Sequence, residues 1–235
     1  MTKIAAVVLA GLAFGCTGIA NAAAGDSTVS IGYAQIHSKG LKKAVDHYSS
    51  PLNSASGFVN DEANKAGVTI PDGVFSAGAD KYKDPKGINI KYRYEFDDNW
   101  GAIGSVTYAW AKYDGHLNAK DPESSDSVNA KGSIKGHYFS ILAGPAYRIN
   151  DYVSGYAMAG LANSKTKYSA DYSYNIDNST GNGSYSNDKN KTTFAYSVGL
   201  QFNPVKSVAI DVAYEGSGSG DWNTNGFNVG VGYTF

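Results

Sequence analysis

Six charged residues occupy positions that a β-strand would turn to one side, away from the apolar residues that alternate with them. They are Lys91, Arg93, Glu95, Arg148, Asp211 and Glu215. The chain contains two arginines, and both belong to this set. Because the planar arginine fork binds carboxylates in a bidentate manner, the set could form a buried ion-pair network. The alternative chemistry is a path for protons or ions.

No arrangement of residues in the sequence is typical of a catalytic or metal site. The four histidines are scattered, and no two of them have the i, i+4 spacing of a helical metal site. A Gly-x-Ser-x-Gly motif is absent, and the glycine-rich stretches 181–183 and 216–220 do not lie between a strand and a helix. We therefore predict a protein that is not an enzyme and that needs no cofactor or metal.

The composition of the 235 residues limits the class of protein further. Lysine and arginine number 20 and aspartate and glutamate 21, so no excess of positive charge favours nucleic-acid binding. Charged residues amount to 17%, fewer than in most soluble domains, whereas hydrophobic residues reach 42%, too many for a disordered chain. The 28 glycines and 18 tyrosines indicate β-structure with many turns.

The first residues have the pattern of a secretory signal peptide. Lys3 precedes a largely apolar stretch, and Ala-x-Ala motifs predict cleavage after Ala22 or Ala24. We therefore assign residues 1–22 to a signal peptide and residues 23–235 to a single domain. The alternatives are an N-terminal membrane anchor and lipid attachment at Cys16, the single cysteine. No later segment has the roughly 20 apolar residues of a membrane-spanning helix.

Strict alternation of apolar with small or polar residues recurs along the rest of the chain. This period of two places each set on one face of a strand. Eight such segments of about 9–12 residues match strands that cross a bilayer at a tilt. Glycine and alanine are abundant opposite the apolar face, which favours a narrow lumen over a soluble sandwich. We therefore predict an all-β fold, an eight-stranded antiparallel up-and-down transmembrane β-barrel, whose tight interior favours the ion-pair network over the ion path.

The connections between the predicted strands alternate between short and long. Turns rich in Asn, Asp and Pro lie at residues 97–99, 150–151 and 203–207. Long polar connections are predicted at residues 38–86, 112–136, 164–191 and 216–225. This asymmetry is typical of outer-membrane barrels, whose long loops are extracellular and whose short turns are periplasmic.

The long connections carry the residues that could bind a partner. A basic cluster in the first connection could meet sulfated glycans or lipopolysaccharide phosphates, or lie solvated at the base of the loop. Apolar residues of the same connection either pack as a small cap or present a contact surface. Tyrosines of the third connection are typical of binding loops, or of strands that continue above the membrane. The candidate contacts are Lys39, Lys42, Lys43, Phe58, Phe75, Tyr168, Tyr172 and Tyr174.

Several blocks of the sequence resemble the Ail/Lom/OmpX family of enterobacterial outer-membrane barrels. The most specific are Ala-Gly-Pro-x-Tyr-Arg-x-Asn-Asp at residues 143–151 and the closing Gly-x-Gly-Tyr-x-Phe at residues 230–235. The resemblance covers nearly all of the mature chain, although the first connection is longer than the family pattern. It implies a monomeric surface protein of the Gram-negative outer membrane that acts in adhesion, invasion or serum resistance. A structural envelope barrel and an outer-membrane lipid-modifying enzyme are the alternatives.

The resemblance also implies a set of partners. Outer-membrane lipid and lipopolysaccharide surround such a barrel, and host matrix proteins, complement regulators or glycans would meet its extracellular loops. A closing strand that ends on an aromatic residue is implied to be the signal read by the barrel-assembly machinery. Its outward residues are Phe227, Val229, Val231, Tyr233 and Phe235.

Overall fold

The computed structural model describes residues 24–177 and 179–235. The predicted signal peptide and Cys16 lie outside these residues. In chain order the described elements are β1 (Ser27–Ser38), helix α1 (Lys39–Lys65), β2 (Phe75–Ala79), β3 (Lys86–Glu95), β4 (Trp100–Lys120), β5 (Ser127–Arg148), β6 (Val153–Ile176), β7 (Ser179–Val205), β8 (Val208–Ser217), a 3₁₀ helix (Gly220–Trp222) and β9 (Thr224–Thr234).

Eight of the strands close into a ring in which all neighbours are antiparallel. Strand β1 pairs with both β3 and β9, β3 pairs with β4, and from β4 onward each strand pairs with the next. Strand β2 lies outside this order and extends the sheet beside the outer end of β4. Ring closure pairs the strand edges that would otherwise face lipid. The predicted eight-stranded antiparallel barrel is confirmed.

The two faces of the wall follow the sequence alternation. Ile90 and Tyr92 on the outer face are 46% and 49% exposed, whereas Lys91 between them is 3% exposed. Aromatic side chains concentrate near the ends of this apolar band: Trp100 and Tyr147 meet edge to face at 4.9 Å at the end with short turns, and Tyr108 stacks on Trp110 at 5.4 Å at the other. This arrangement is that of a lipid-facing band between aromatic girdles.

The short turns are stabilised by side chains of the types that predicted them. Asp97 Oδ1 accepts hydrogen bonds from the backbone N–H groups of Asn99 and Trp100, both at 2.8 Å. Asn150 Oδ1 accepts in the same way from Tyr152 and Val153, both at 2.9 Å. Because these bonds satisfy the backbone donors of the turn, the chain can reverse within a few residues.

The extracellular half differs from the prediction of long unpaired loops. Strands β4 to β7 are 21 to 27 residues long, and they pair out to Lys120 opposite Ser127 and to Ile176 opposite Ser179. Residues 112–136 and 164–191 are therefore mostly strand. The loop prediction was wrong for the first range, and for the second the alternative of strands that continue above the membrane is confirmed. Beyond the membrane both faces of a strand can be polar, so the alternation that reveals a strand is lost. Within the described ranges, no helix is long and apolar enough to cross a membrane.

Candidate functional site

The six charged residues predicted to share one side all lie inside the barrel. Their exposed fractions run from 1% to 8%: Lys91, Arg93, Glu95, Arg148, Asp211 and Glu215. Within the part of the chain that the structure describes, these are the buried charged side chains, and they comprise three cations and three carboxylates. Because the formal charges cancel, the lumen can be filled by these side chains without net charge.

An ion-pair layer lies at the end of the lumen near the short turns. Glu95 Oε1 lies 2.6 Å from Arg93 Nη2 and 3.1 Å from Arg148 Nη2. Arg93 Nη1 also donates to Gln201 Oε1 at 3.3 Å. Among the three carboxylates of the predicted set, the structure therefore places Glu95 against Arg93.

A second layer, farther from the short turns, combines an ion pair with hydroxyl donors. Lys91 Nζ pairs with Asp211 and donates to Asn228 Oδ1, and Tyr156 donates its hydroxyl to Asp211 Oδ2 at 2.8 Å. The Tyr156 hydroxyl thus donates to lone pairs of the Asp211 carboxylate that Lys91 alone would leave without a hydrogen-bond donor.

Glu215 is held by hydroxyl groups instead of by a direct ion pair. Its carboxylate accepts from Tyr138 at 2.7 Å, Ser140 at 2.5 Å and Thr107 at 2.9 Å. The sequence interpretation placed Glu215 in an ion-pair network and did not include these donors. The sequence does mark these hydroxyl donors, because they occupy inward positions of strands. Tyr138, for example, directly precedes Phe139, which faces outward.

Helix α1 packs inside the outer mouth of the barrel, where the sequence analysis predicted a loop. Ser38 caps its first turn by accepting from the backbone N–H of Leu41 at 3.4 Å. Leu41 and Val45 are 5% and 0% exposed and pack against Tyr113 of β4 and Ile134 of β5. Burial of an aliphatic side chain of this size contributes about 1.5–3 kcal/mol, so these contacts hold the helix in place.

Glycines of the wall make room for this helix. A Cβ at Gly115 would lie 2.8 Å from the Tyr48 hydroxyl, and a Cβ at Gly132 or Gly136 would overlap Tyr48 or Leu41. Side chains at these three positions would therefore force Tyr48 or Leu41 out of its present position against β4 and β5. We call α1 together with its contacts to the wall the helical cap.

The helical cap is not built from Phe58 and Phe75, which the sequence analysis assigned either to a small cap or to a contact surface. Phe58 is 67% exposed on the far half of α1, and Phe75 is half-buried in β2. The buried positions are instead Leu41, Val45 and Ser49, with Tyr48 partly buried beside them. A serine N-cap followed by apolar residues at i, i+4 and i+7 is the sequence signal that could have predicted this helix.

A polar cluster ties the segment after the cap to β1. Asp84 accepts from Gln35 Nε2 at 3.0 Å and contacts His37 Nδ1 at 2.8 Å, and Tyr82 accepts from the Ser38 backbone N–H at 3.0 Å. Burial acts to raise the pKa of Asp84, but the hydrogen bonds from His37 and Gln35 outweigh it and lower that pKa. The ionised carboxylate therefore anchors both ends of the first connection to the barrel.

Besides Phe58, five of the eight candidate contact residues are exposed, in two separate places. Lys42 and Lys43 are exposed and pair with Asp46 at 2.5 Å and Asp221 at 2.6 Å, and Lys39 is exposed beside them. At the outer end of β6, Tyr172 and Tyr174 are 53% and 39% exposed. Tyr168 differs from these tyrosines, because its ring is half-buried and packs against the cap.

The histidines occupy separate places in the outer half of the barrel. His37 contacts Asp84, His116 contacts Ser76 at 3.2 Å, and His137 contacts Tyr108 at 3.0 Å. Within residues 24–177 and 179–235, no three histidine, cysteine or acidic residues cluster as a metal site.

Comparison with known proteins identifies the family. The family model described as Enterobacterial Ail/Lom protein matches residues 49–235. The chain belongs to the Ail/Lom family. The outer membrane protein lom of Escherichia phage lambda is 39% identical over 71% of this chain and 81% of its own length. The attachment invasion locus protein of Yersinia enterocolitica is 33% identical over 97% of this chain and 98% of its own.

A solved structure of an Ail/Lom protein agrees with the fold described above. Ail of Yersinia pestis, crystallised with the heparin analogue sucrose octasulfate, is 29% identical, with a TM-score of 0.53, and the match covers 90% of this chain and 99% of that one. Membership of the Ail/Lom family places the chain in the outer membrane of a Gram-negative bacterium. The predicted location and the predicted class, an outer-membrane surface protein of the attachment and invasion type, are therefore confirmed.

Proposed function

We propose that this chain is an adhesin that attaches the bacterium to host cells through the part of the barrel outside the membrane. The observation that carries the proposal is the contrast between the two halves of the molecule. The lumen is filled by paired charged side chains, whereas β4 to β7 continue beyond the lipid-facing band as a hydrogen-bonded wall around the helical cap. A rigid scaffold that presents exposed aromatic and basic residues suits recognition.

The host ligand that we propose is an anionic glycan. Lys39, Lys42 and Lys43 lie on the exposed first turn of α1, where a sulfate group could reach them. The related Yersinia pestis protein was crystallised with a sulfated sugar, which supports the same class of ligand here. Matrix proteins and complement regulators stay predicted as further partners.

The experiment is expression on a non-adherent bacterium, with binding to cultured host cells as the readout. Deletion of residues 53–80 removes the far half of α1, including Phe58, and strand β2. The deletion joins points that are close in space, because Asn53 Oδ1 accepts from the Ala79 backbone N–H at 2.8 Å. It also leaves Leu41, Val45 and Tyr48 in the mouth. We therefore expect a folded barrel with reduced adherence.

A second variant tests the tyrosines at the outer end of β6. Tyr172→Ser with Tyr174→Ser removes two exposed rings and is expected to weaken adherence separately from the deletion. Lys206→Ser in the periplasmic turn is the control and should adhere like the unaltered chain. Adherence that survives both the deletion and the tyrosine change would exclude these two surfaces and leave the basic start of α1, which neither variant alters, or the turns at residues 121–126 and 218–223 as the contact.

The structural envelope barrel stays the alternative function, and the lipid-modifying enzyme is the third. The envelope alternative predicts that loss of the chain changes detergent or antibiotic sensitivity of the bacterium while adherence stays at background. Among the described residues, no arrangement of side chains favours a catalytic mechanism.

We also propose lipopolysaccharide as a partner, bound at the outer edge of the lipid-facing band. Lys112, Lys135 and Lys167 lie directly opposite one another on β4, β5 and β6, two residues outward from the exposed Trp110. Lys112 pairs with Asp114 at 2.8 Å, and Asp188 lies opposite Lys167. Like charges in cross-strand positions repel, and anionic phosphate groups at this level would relieve the repulsion that remains.

Lipopolysaccharide retention on the purified barrel measures this partnership. Lys135→Glu should reduce the amount of lipopolysaccharide phosphate that co-purifies, because it reverses the central charge of the row. Lys120→Glu, at the outer end of β4, is the matched control and should retain the normal amount. Equal retention of lipopolysaccharide by both variants would contradict binding at the row of three lysines.

Strand β9 supports, in addition, the proposal that the terminus is read by the barrel-assembly machinery. Tyr233 and Phe235 stack at 6.3 Å and are 61% and 67% exposed on the outer face, where another protein could contact them. The backbone N–H of Phe235 donates to the backbone oxygen of Ser27 at 2.9 Å, so this end of β9 lies where β9 pairs with β1.

That the chain is a monomer in the membrane also stays a prediction.

A further inference from the structure

A groove separates the helical cap from the inner side of β6 and β7. A cavity of about 290 Å³ is lined by Lys43, Trp222 and inward residues of β6. A second cavity of about 620 Å³ adjoins it and is lined by Tyr48, Tyr185 and inward residues of β5 and β6. Ala44, Tyr168 and Lys189 line both cavities. The two cavities are therefore adjacent, and we call them together the cap groove.

The walls of the cap groove combine aromatic rings with hydroxyl groups. Tyr48, Tyr168, Tyr185 and Trp222 supply the rings, and Tyr185 is 60% exposed. Ser164 and Thr166 supply hydroxyl groups on the same face of β6 as Tyr168. Aromatic rings offer flat apolar surfaces, and hydroxyls both donate and accept hydrogen bonds. Sugar rings present this combination of an apolar C–H face and an edge of hydroxyls.

The charge around the cap groove is positive. Lys43 and Lys189 line it, and Lys39 lies near its entrance, whereas Asp221 is the acidic residue of the lining. The hydrogen bond and charge of Lys43, and then the charge of Lys39, lower the pKa of Asp221. Within the described residues no carboxylate pairs with Lys189. Basic side chains in a cleft attract anionic ligands.

We infer that the cap groove binds an anionic oligosaccharide, with the rings contacting sugar faces and Lys189 contacting a sulfate, phosphate or carboxylate group. The inference rests on the proposed function, because it names the site at which a glycan would bind. Two sources share this chemistry: a sulfated glycosaminoglycan of the host and the phosphorylated core oligosaccharide of lipopolysaccharide. An apolar peptide would have no use for the lysines, so we favour the sugar.

Binding is measured with the full mature chain, refolded in detergent, by titration calorimetry and by the change in tryptophan fluorescence, to which Trp222 in the groove wall contributes beside Trp100 and Trp110. The probes are a heparin octasaccharide, the same octasaccharide after desulfation, and a delipidated phosphorylated lipopolysaccharide core. Whichever of the two anionic probes binds more tightly identifies the source. The desulfated octasaccharide should bind more weakly than the sulfated one, because Lys189 then lacks its partner.

Two variants test the groove itself. Lys189→Gln removes one charge-assisted contact and should weaken binding about three- to tenfold. Ala44→Phe narrows both cavities without changing charge and should abolish binding, while heat-modified gel mobility checks that the barrel is folded. Lys120→Gln, which carries the same charge loss outside the groove, should bind as the unaltered chain does.

The outcomes separate this inference from the proposed function. If both anionic probes bind and neither groove variant changes their affinity, the cap groove is not the binding site, whereas the proposed glycan ligand stands. If the unaltered chain binds neither probe yet promotes adherence of the bacterium, the groove is overturned and the adhesin stands. Absence of both binding and adherence would overturn the two together.

Discussion

Replacement of Arg93 with alanine is expected to destabilise the barrel by about 3 kcal/mol, the lower end of the range for breaking a buried ion pair. Arg93 is 2% exposed and lies 2.6 Å from Glu95 Oε1, so its removal leaves a buried carboxylate with one cation fewer. We expect a loss of stability at the lower end of that range because Arg148 Nη2 still lies 3.1 Å from Glu95 Oε1. Denaturant unfolding of the barrel in lipid vesicles measures the change.

Two further variants show whether the ion pair is the cause. Arg93→Ala combined with Glu95→Gln removes the uncompensated charge and should recover part of the lost stability, which a double-mutant cycle quantifies. Lys39→Ala, on the exposed first turn of α1, should change stability by no more than about 0.5 kcal/mol. An Arg93→Ala barrel as stable as the Lys39→Ala barrel would show that the lumen pairs do not hold the fold.

Replacement of Val229 with arginine should destabilise the barrel by about 2–4 kcal/mol, because it places a charge on the lipid-facing wall near the bilayer midplane. Val229 lies at the middle of β9, between Tyr33 of β1 and Val212 of β8, and is 42% exposed on the outer face. Neighbouring apolar side chains offer the guanidinium no partner. Unfolding in vesicles is again the measurement.

The matched control for this variant is Val68→Arg. Val68 is 56% exposed in the extracellular segment after α1, so the same chemical change occurs there in water and should cost no more than about 0.5 kcal/mol. Equal stabilities of the two variants would mean that the face carrying Val229 is not in contact with lipid, which the barrel requires.

The transmembrane part of the fold could be predicted from the sequence because the membrane imposes the alternation. Between Ile88 and Phe96 each outward residue must be apolar and each inward residue must fit a narrow lumen, so the period of two is strict. The same constraint turned Lys91, Arg93 and Glu95 inward together. Their individual partners could not be derived, because pairing depends on which strands face each other across the lumen.

The extracellular half could not be predicted in the same way, because the membrane imposes no alternation of apolar and polar residues there. At residues 164–191 tyrosines stand among polar and small residues, and this composition fits a binding loop as well as the paired strands that continue to Ile176 and Ser179. The helical cap was missed for a related reason. The apolar period of this 27-residue helix is confined to Leu41, Val45 and Tyr48 after the Ser38 cap, so the sequence signals its first half and not its far half.

These differences change where a partner would be met. Flexible loops would have to order on binding, whereas paired strands and a packed helix present their side chains in fixed positions and lose less entropy. Tyr172 and Tyr174 are therefore anchored on a strand, and the cap groove has a wall on each side.

Host-cell adherence of a non-adherent bacterium that expresses the full chain, compared with the same bacterium carrying an empty vector, tests the proposed function most directly. We predict adherence clearly above the vector control, and a decrease when soluble heparin is added as a competitor. Adherence equal to that of the vector control, with the barrel shown to be folded at the cell surface, would contradict the adhesin and favour the structural envelope barrel.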